Sequence, residues 1–285
     1  MENIEFNWES NAGLRIFGQF WKPEGNNIKA VVCLVHGLGE HSSRYKVLPQ
    51  TLTDNGFALI GFDLEGHGKS EGKRGHTPSY QAYMDNISIL LDKAHQFFPG
   101  TDIFLYGHSL GGNLVINYIL RNKPSVKGVI ATGPWFRLSN PPKESVQKFA
   151  FWLNKFWPSF RAFNRIKSGH RGEERVCKMV KDRLIHPWIS VRTFLSAQEA
   201  GCWAIRHAGE LHVPLLILHG GEDQVTSVNA SREFAGVAGE KCDIKIWPGL
   251  YHEIHNEPRN TELFDEVITW LNLRIDSGKK KPHSN

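Results

Sequence analysis

Ser109 lies at the centre of Gly107-His108-Ser109-Leu110-Gly111, a Gly-x-Ser-x-Gly pattern. A serine hydroxyl is a poor nucleophile until a base takes its proton and a third group holds that base in place. The apolar run Ile103–Tyr106 precedes the pattern and a helical pattern, Leu114–Leu120, follows it. Strand, sharp turn and helix together expose a nucleophile at a sheet edge. Only small residues two before and two after it let strand and helix come that close. Alone the pattern is weak, because a glycine-rich strand-to-helix turn with an incidental serine has the same sequence. Its partners are sought in the chain order nucleophile, acid, histidine. His219-Gly220-Gly221-Glu222-Asp223 follows the apolar run Pro214–Leu218 and offers Glu222 and Asp223 as the acid. The stretch after the run Cys242–Trp247 offers His252 and His255 as the base. An oxyanion needs two backbone N–H donors. Leu110 is one candidate, at the start of a helix whose dipole adds to it. Leu38 is the other, in His36-Gly37-Leu38-Gly39 after the run Ala30–Val35.

All these positions fall at the carboxyl ends of predicted strands. The runs at 30–35, 57–62, 102–106, 126–131 and 214–218 are apolar throughout, as strands buried on both faces must be. The runs at 4–8 and 14–22 alternate and are joined by Asn11-Ala12-Gly13, which predicts an antiparallel hairpin with one solvated face. Helical patterns cover about 44–55, 79–98, 110–122, 227–237 and 261–274. Strand and helix in alternation predict an α/β fold with a mostly parallel central sheet. One segment breaks the alternation. Residues 134–210 hold no obvious strand and are dense in aromatics, among them Trp135, Phe149, Trp152, Phe156, Trp157, Phe163 and Phe194. They also carry many basic residues, such as Lys143, Lys148, Lys155, Arg161, Arg165 and Lys167. A crossover needs only a dozen or so residues, so this segment is expected to be an inserted helical cap over the site. Most of its aromatics are expected to form its own small core, and some to line an apolar cavity. The core is then 1–133 with 211–275, and 276–285 is a flexible basic tail.

The 285 residues, 40% hydrophobic and 22% charged, fit a soluble globular protein. Of the net charge of +5, three charges are Lys279, Lys280 and Lys281 in the tail. Such a tail allows at most peripheral membrane contact. No basic helix interleaved with aromatics points to nucleic acid. Cys33, Cys177, Cys202 and Cys242 have neither metal-knuckle nor disulfide-framework spacing. The first residues lack a signal-peptide pattern, and no apolar run reaches the length of a membrane span. The expectation is a cytoplasmic protein that needs no metal and no organic cofactor; oligomeric state is not encoded in these features. His108 reads as a packing residue beside the nucleophile. Asp63 reads as a brace for the Gly66-His67-Gly68 turn.

Five stretches together carry a family resemblance: His36–Tyr45, Gly61–Gly72, Gly107–Gly112, His219–Asp223 and Tyr251–His255. With them the chain, from about residue 10 to 275, resembles the monoacylglycerol lipase and lysophospholipase branch of the α/β-hydrolases, sometimes catalogued with serine aminopeptidases. The resemblance implies a triad of Ser109, Asp223 and His252 and an oxyanion hole at the backbone of Leu38 and Leu110. It places Glu40, Arg44 and His255 near the glycerol end of the pocket, and it matches Asp182–His186 to a stretch of the family's cap. The implied activity is hydrolysis of lipid monoesters, substrates that bear an acyl chain, through an acyl-enzyme. Ser rather than Asp at position 109 argues against dehalogenase and epoxide-hydrolase chemistry. Two alternatives share these residues. A small-substrate aminopeptidase or amidase would need an acidic anchor, for which Glu173, Glu174 and Glu199 are available. A non-catalytic binding protein of the same fold would not turn over a short p-nitrophenyl ester.

Overall fold

The computed structural model describes residues 1–25, 27–163, 182–257 and 260–276. Ten strands and seven α-helices are assigned among them. β1 (Glu2–Glu9) and β2 (Arg15–Lys22) form the antiparallel hairpin that the Asn11-Ala12-Gly13 turn predicts, with β1 largely exposed at the edge. β3 (Val31–Val35), β4 (Ala58–Phe62), β5 (Ile103–His108), β6 (Gly128–Thr132) and β9 (Leu215–Gly220) are buried at every position. That is why their sequences show no polar alternation. β10 (Cys242–Trp247) alternates because it is the opposite edge. The eight-stranded sheet runs β1-β2-β4-β3-β5-β6-β9-β10, parallel from β4 onward.

Its register places the site. Val35 pairs with Gly107, His108 with Thr132, Thr132 with Leu218, and Trp247 with Gly220. The carboxyl ends of β3, β5, β6, β9 and β10 therefore finish level, and the loops that follow them meet along one edge.

Helices α1 (Val47–Asp54) and α7 (Asn260–Asp276) cover one face, packing Leu48, Leu52, Phe264 and Leu271 on the sheet. Helices α2 (Tyr80–Phe97), α3 (Leu110–Asn122), α5 (Val191–Arg206) and α6 (Val228–Ala238) cover the other. α2, α5 and α6 each start on a serine, Ser79, Ser190 and Ser227, whose hydroxyl accepts a backbone N–H of the first turn.

Between β6 and β9 lie α4 (Glu144–Phe156), β7 (Arg161–Phe163), β8 (Trp188–Ser190) and α5. Two features differ from the sequence reading. β7 and β8 pair as an antiparallel ribbon; three residues are too few for a period of two to register in sequence. The aromatics of this segment are not gathered into a core of their own. α4 buries no residue, and Phe149, Phe151, Trp152, Phe156, Trp157 and Phe163 are all more than half exposed. α5 belongs to the helical layer instead. It packs on α3 through Asn113 Nδ2, which donates to the Ala197 carbonyl, and Asn117 Nδ2, which donates to that of Ala200. The basic tail from 277, Cys177, Arg165, Lys167, Glu173 and Glu174 lie outside the described residues. No described helix is long and apolar enough to cross a membrane.

Candidate active site

Ser109 occupies the turn between β5 and α3 with φ 54° and ψ −112°, a left-handed conformation that costs a non-glycine residue on the order of 1–3 kcal/mol. The glycines around it make the turn possible. A Cβ at Gly107 would collide with the Gly111 carbonyl, and one at Gly111 with the Val35 carbonyl. The turn is also tied down, since the Ser109 N–H donates to Thr132 O and Ser109 O accepts the Trp135 N–H. The carbonyl end of β3 and the end of β6 both pack against this turn.

Ser109 Oγ stands 2.9 Å from His252 Nε2, and His252 Nδ1 stands 2.7 Å from Asp223 Oδ2. The three residues come from the loops after β5, β10 and β9, in the chain order the sequence suggests. Of the alternatives left open there, Glu222 is exposed beside Asp223 and His255 lies behind His252. Asp223 is held by five donors. Oδ1 accepts the Val225 and Thr226 N–H groups; Oδ2 accepts from His252, His219 and the Thr226 hydroxyl.

Electrostatics separate the two histidines. Burial alone would lower the pKa of His252, but Asp223, the hydrogen bond to it, and Glu253 and Glu40 outweigh burial, so the net shift is upward. His255 is pushed down to about 4 by burial, which the nearby Glu40 and Glu253 offset only in part. Burial would likewise raise the pKa of Asp223. The imidazoles of His252 and His219 override it and hold the carboxyl well below the usual range. An imidazole whose charged form is stabilised by a carboxylate and that lies within hydrogen-bond reach of a hydroxyl can take its proton; His252 meets both conditions.

The Leu38 and Leu110 N–H groups have no acceptor among the described residues. The loop carrying Leu38 is braced by Glu40, whose Oε1 accepts the Gly37 N–H at 2.6 Å and the Tyr45 hydroxyl at 2.7 Å. Arg44 bridges Glu40 at 2.9 Å and Glu253 at 3.0 Å, joining this loop to the one that holds His252. His255 stacks on Tyr45 and meets His108 edge-on. Glu40 and Arg44 are thus joined directly, and His255 is brought beside them by stacking on Tyr45, whose hydroxyl donates to Glu40. His108 packs against His252, and its Nδ1 lies 3.0 Å from the Thr132 hydroxyl. Asp63 accepts the Lys69 N–H at 2.8 Å, and the Ser42 N–H and hydroxyl at 2.8 and 2.7 Å, as a brace for both loops.

A cavity of about 550 Å³ opens beside this edge, walled by Trp135, Leu138, Val146, Ala150, Phe163 and Phe194, with Gln224 and Val225 at the end next to Asp223. Its wall is therefore α4, the β7–β8 ribbon, the start of α5 and the loops after β6 and β9. Among the described residues, no group of histidine, cysteine and acidic side chains could hold a metal ion.

Sequence reasoning missed His219, Thr226 and Gly133. His219 faces Asp223 from the strand end four residues earlier, and Thr226 returns its hydroxyl three residues later, a local bond typical of threonine after a turn. Gly133 follows β6 with φ 49°, and a Cβ there would lie 3.2 Å from His252 Nδ1 and 3.4 Å from Asp223 Oδ2. A glycine directly after a buried strand was the available signal.

Residues 26–259 match the serine aminopeptidase S33 family. A monoacylglycerol lipase of Mycolicibacterium smegmatis is 29% identical over 273 residues, 94% of this chain and 96% of that one. An uncharacterised abhydrolase domain-containing protein of Dictyostelium discoideum is 31% identical over 93% of this chain, which spans only 28% of that longer protein. The crystal structure of a Paleococcus ferrophilus monoacylglycerol lipase superposes with a TM-score of 0.81 at 31% identity, over 96% of this chain and 100% of that one.

Proposed function

The chain belongs to the serine aminopeptidase S33 family, as a serine hydrolase with the α/β-hydrolase fold, and we propose that it hydrolyses the carboxylic ester of a monoacylglycerol through an acyl-enzyme on Ser109. One observation carries this reading. The hydrogen-bonded series Ser109–His252–Asp223 lies on the same sheet edge as the loops after β6 and β9 that help wall an apolar cavity of about 550 Å³, with Gln224 and Val225 next in sequence to Asp223. In the first half-reaction Ser109 Oγ attacks the ester carbonyl while His252 Nε2 takes its proton. Asp223 keeps the imidazole in the Nδ1–H tautomer and stabilises the imidazolium. The Leu38 and Leu110 N–H groups receive the oxyanion, each donor contributing about 3 kcal/mol. The imidazolium then gives its proton to the leaving glycerol oxygen as the C–O bond breaks. In the second half-reaction water, deprotonated by His252, attacks the acyl-enzyme and the proton returns to Ser109 as the fatty acid leaves.

A neutral polyol suits this site better than a phosphodiester. Behind His252 lie the Glu40 and Glu253 carboxylates against one guanidinium, Arg44, and both ends of that guanidinium are already bound. Among the described residues that cluster offers a phosphate more negative than positive charge. The part of the proposed cap that roofs the acyl site is α4 with the β7–β8 ribbon; α5 is its return crossover. The peptidase reading lacks a comparable observation. Glu199 is exposed on α5 and does not wall the cavity.

The deciding experiment compares monoacylglycerols, lysophospholipids, short esters and aminoacyl amides as substrates, with Ser109→Ala as control. Monoacylglycerols are expected to give the highest kcat/KM, and Ser109→Ala to lose several orders of magnitude while staying folded. A serine-directed fluorophosphonate should label Ser109 alone. Preference for aminoacyl amides or lysophospholipids would overturn the substrate, and label on another serine would overturn the nucleophile.

A further inference from the structure

Asp223 is shared by two histidines. His219, fully buried at the end of β9, places Nε2 3.0 Å from Asp223 Oδ2, the same oxygen that His252 Nδ1 approaches at 2.7 Å. The other nitrogen of His219, Nδ1, lies 2.9 Å from the Ser231 hydroxyl on α6. An acceptor nitrogen facing a carboxylate would be repelled, so the proton sits on Nε2 and Ser231 donates to Nδ1. The arrangement is a continuous chain: Ser231 to His219, His219 to Asp223, His252 to Asp223, and Ser109 to His252.

We propose that His219 is a positioning residue that acts through Asp223 to set the proton affinity of His252. This rests on the reading of Ser109, His252 and Asp223 as the reacting groups. A second N–H on Oδ2 draws electron density from the carboxylate and weakens its hold on the His252 proton. It also fixes the carboxylate plane, together with the Thr226 hydroxyl and the two N–H groups on Oδ1. The other groups that face His252 are Ser109, His108, His255, Glu253 and Glu40. None of these reaches Oδ2, so His219 and Thr226 are the side chains that tune Asp223 without touching His252's reacting nitrogen. His219 Nε2 also lies 3.3 Å from the Thr226 carbonyl, against 3.0 Å to Oδ2. The Thr226 hydroxyl also points at the Gly133 carbonyl, 3.1 Å away.

The sign is fixed by this geometry. Removing the donor makes Asp223 a stronger partner for the imidazolium, raises the pKa of His252 and moves the acid limb of the kcat/KM profile to higher pH. The test measures that profile on a soluble p-nitrophenyl ester for the wild type, His219→Leu, His219→Gln and Ser109→Ala. In His219→Leu the acid limb should move up by about half a pH unit or more, with kcat falling more than KM changes. His219→Gln, whose amide N–H reaches the same oxygen, should restore the wild-type limb. A limb that stays put in folded His219→Leu, or one that moves equally in His219→Gln, overturns the proposal. Independently of any variant's folding, nitrogen NMR of histidine-labelled wild-type protein should find the neutral His219 ring as the Nε2–H tautomer; the Nδ1–H tautomer overturns it. The Ser109→Ala control separates the two levels. Turnover that persists without Ser109 refutes the assignment of the reacting groups, whereas an inactive Ser109→Ala beside an unmoved limb refutes only the role of His219.

Discussion

His252 and His255 stand three residues apart, both buried, and the structure assigns them opposite behaviour toward protons. Replacing His255 by Phe should therefore affect stability in acid and leave the base in place. A phenyl ring can keep the stacking on Tyr45, whose ring centroid is 4.7 Å away, and the edge contact with His108 at 4.6 Å. In the folded protein His255 holds its pKa near 4, against 6.5 for the free side chain. As pH falls, the unfolded chain takes the proton first, so the folded state loses stability through the window from about 6.5 down to 4. At pH 4.5 the loss from this one group is about 2.5 kcal/mol, and at pH 7 it is negligible. Urea unfolding at both pH values measures it. Wild type should lose about 2 kcal/mol more than His255→Phe on going from pH 7 to 4.5. At pH 7.5 the variant should keep the acylation rate within about tenfold, whereas His252→Phe should abolish acylation. Equal acid losses in wild type and His255→Phe would refute the buried neutral histidine. Loss of acylation in His255→Phe with retention in His252→Phe would reassign the base.

Because the pKa of His252 is shifted upward, kcat/KM on an uncharged ester should titrate on its acid side above the 6.5 of an ordinary histidine, with activity lost as pH falls; a midpoint below that value contradicts the Asp223 pairing. Gly39→Ala should lower Tm by several degrees and reduce kcat, because φ is +77° there and a Cβ would strike the His186 carbonyl beside the Leu38 donor. Gly25→Ala, at φ +91° with open space around it, should cost only the backbone strain, which thermal melts of the two variants will distinguish. From acetyl to chains four carbons longer, kcat/KM should rise on the order of a hundredfold, at about 0.8 kcal/mol per buried methylene, and Ala150→Trp in the cavity wall should flatten that rise.

Parallel strands buried on both faces advertise themselves, because neither face admits a polar residue. Runs such as Val31–Val35 and Leu215–Gly220 could be located within a residue or two for that reason. Strand ends then fix where chemistry can occur, so Ser109, Asp223 and His252 were legible as loop residues at carboxyl ends. The support around them was not. His219 and Thr226 act through distances of about 3 Å to one oxygen, and nothing in residue type or spacing says which way a buried side chain points. Glu40, Arg44 and His255 were legible only through family resemblance; the bonds of Glu40 and Arg44 to Glu253 and Tyr45, and the stacking of His255 on Tyr45, are properties of packing. The β7–β8 ribbon was invisible for want of length, and the exposure of α4 because an amphipathic stripe does not reveal whether a second layer exists to cover it.

That exposure separates two parts of the molecule that sequence alone treats as one insertion. Ser109, Asp223 and His252 are fixed by the register of β5, β9 and β10 and by donors within those loops, none of which comes from α4 or the ribbon. The cavity wall, in contrast, is drawn in part from α4, β7 and β8, which pack on the sheet through α5 and through a few backbone bonds such as His186 N–H to Gly39 O and Ser190 N–H to Gly75 O. Changes on α4, β7 or β8 should therefore alter which acyl chain is accepted and leave the proton chemistry unaltered, as long as the bond to Gly39 survives. Gly39 is where the two parts meet. It adjoins Leu38, whose N–H we propose as an oxyanion donor, on one side and accepts the His186 N–H on the other, so a shift of the wall can reach that donor through this residue.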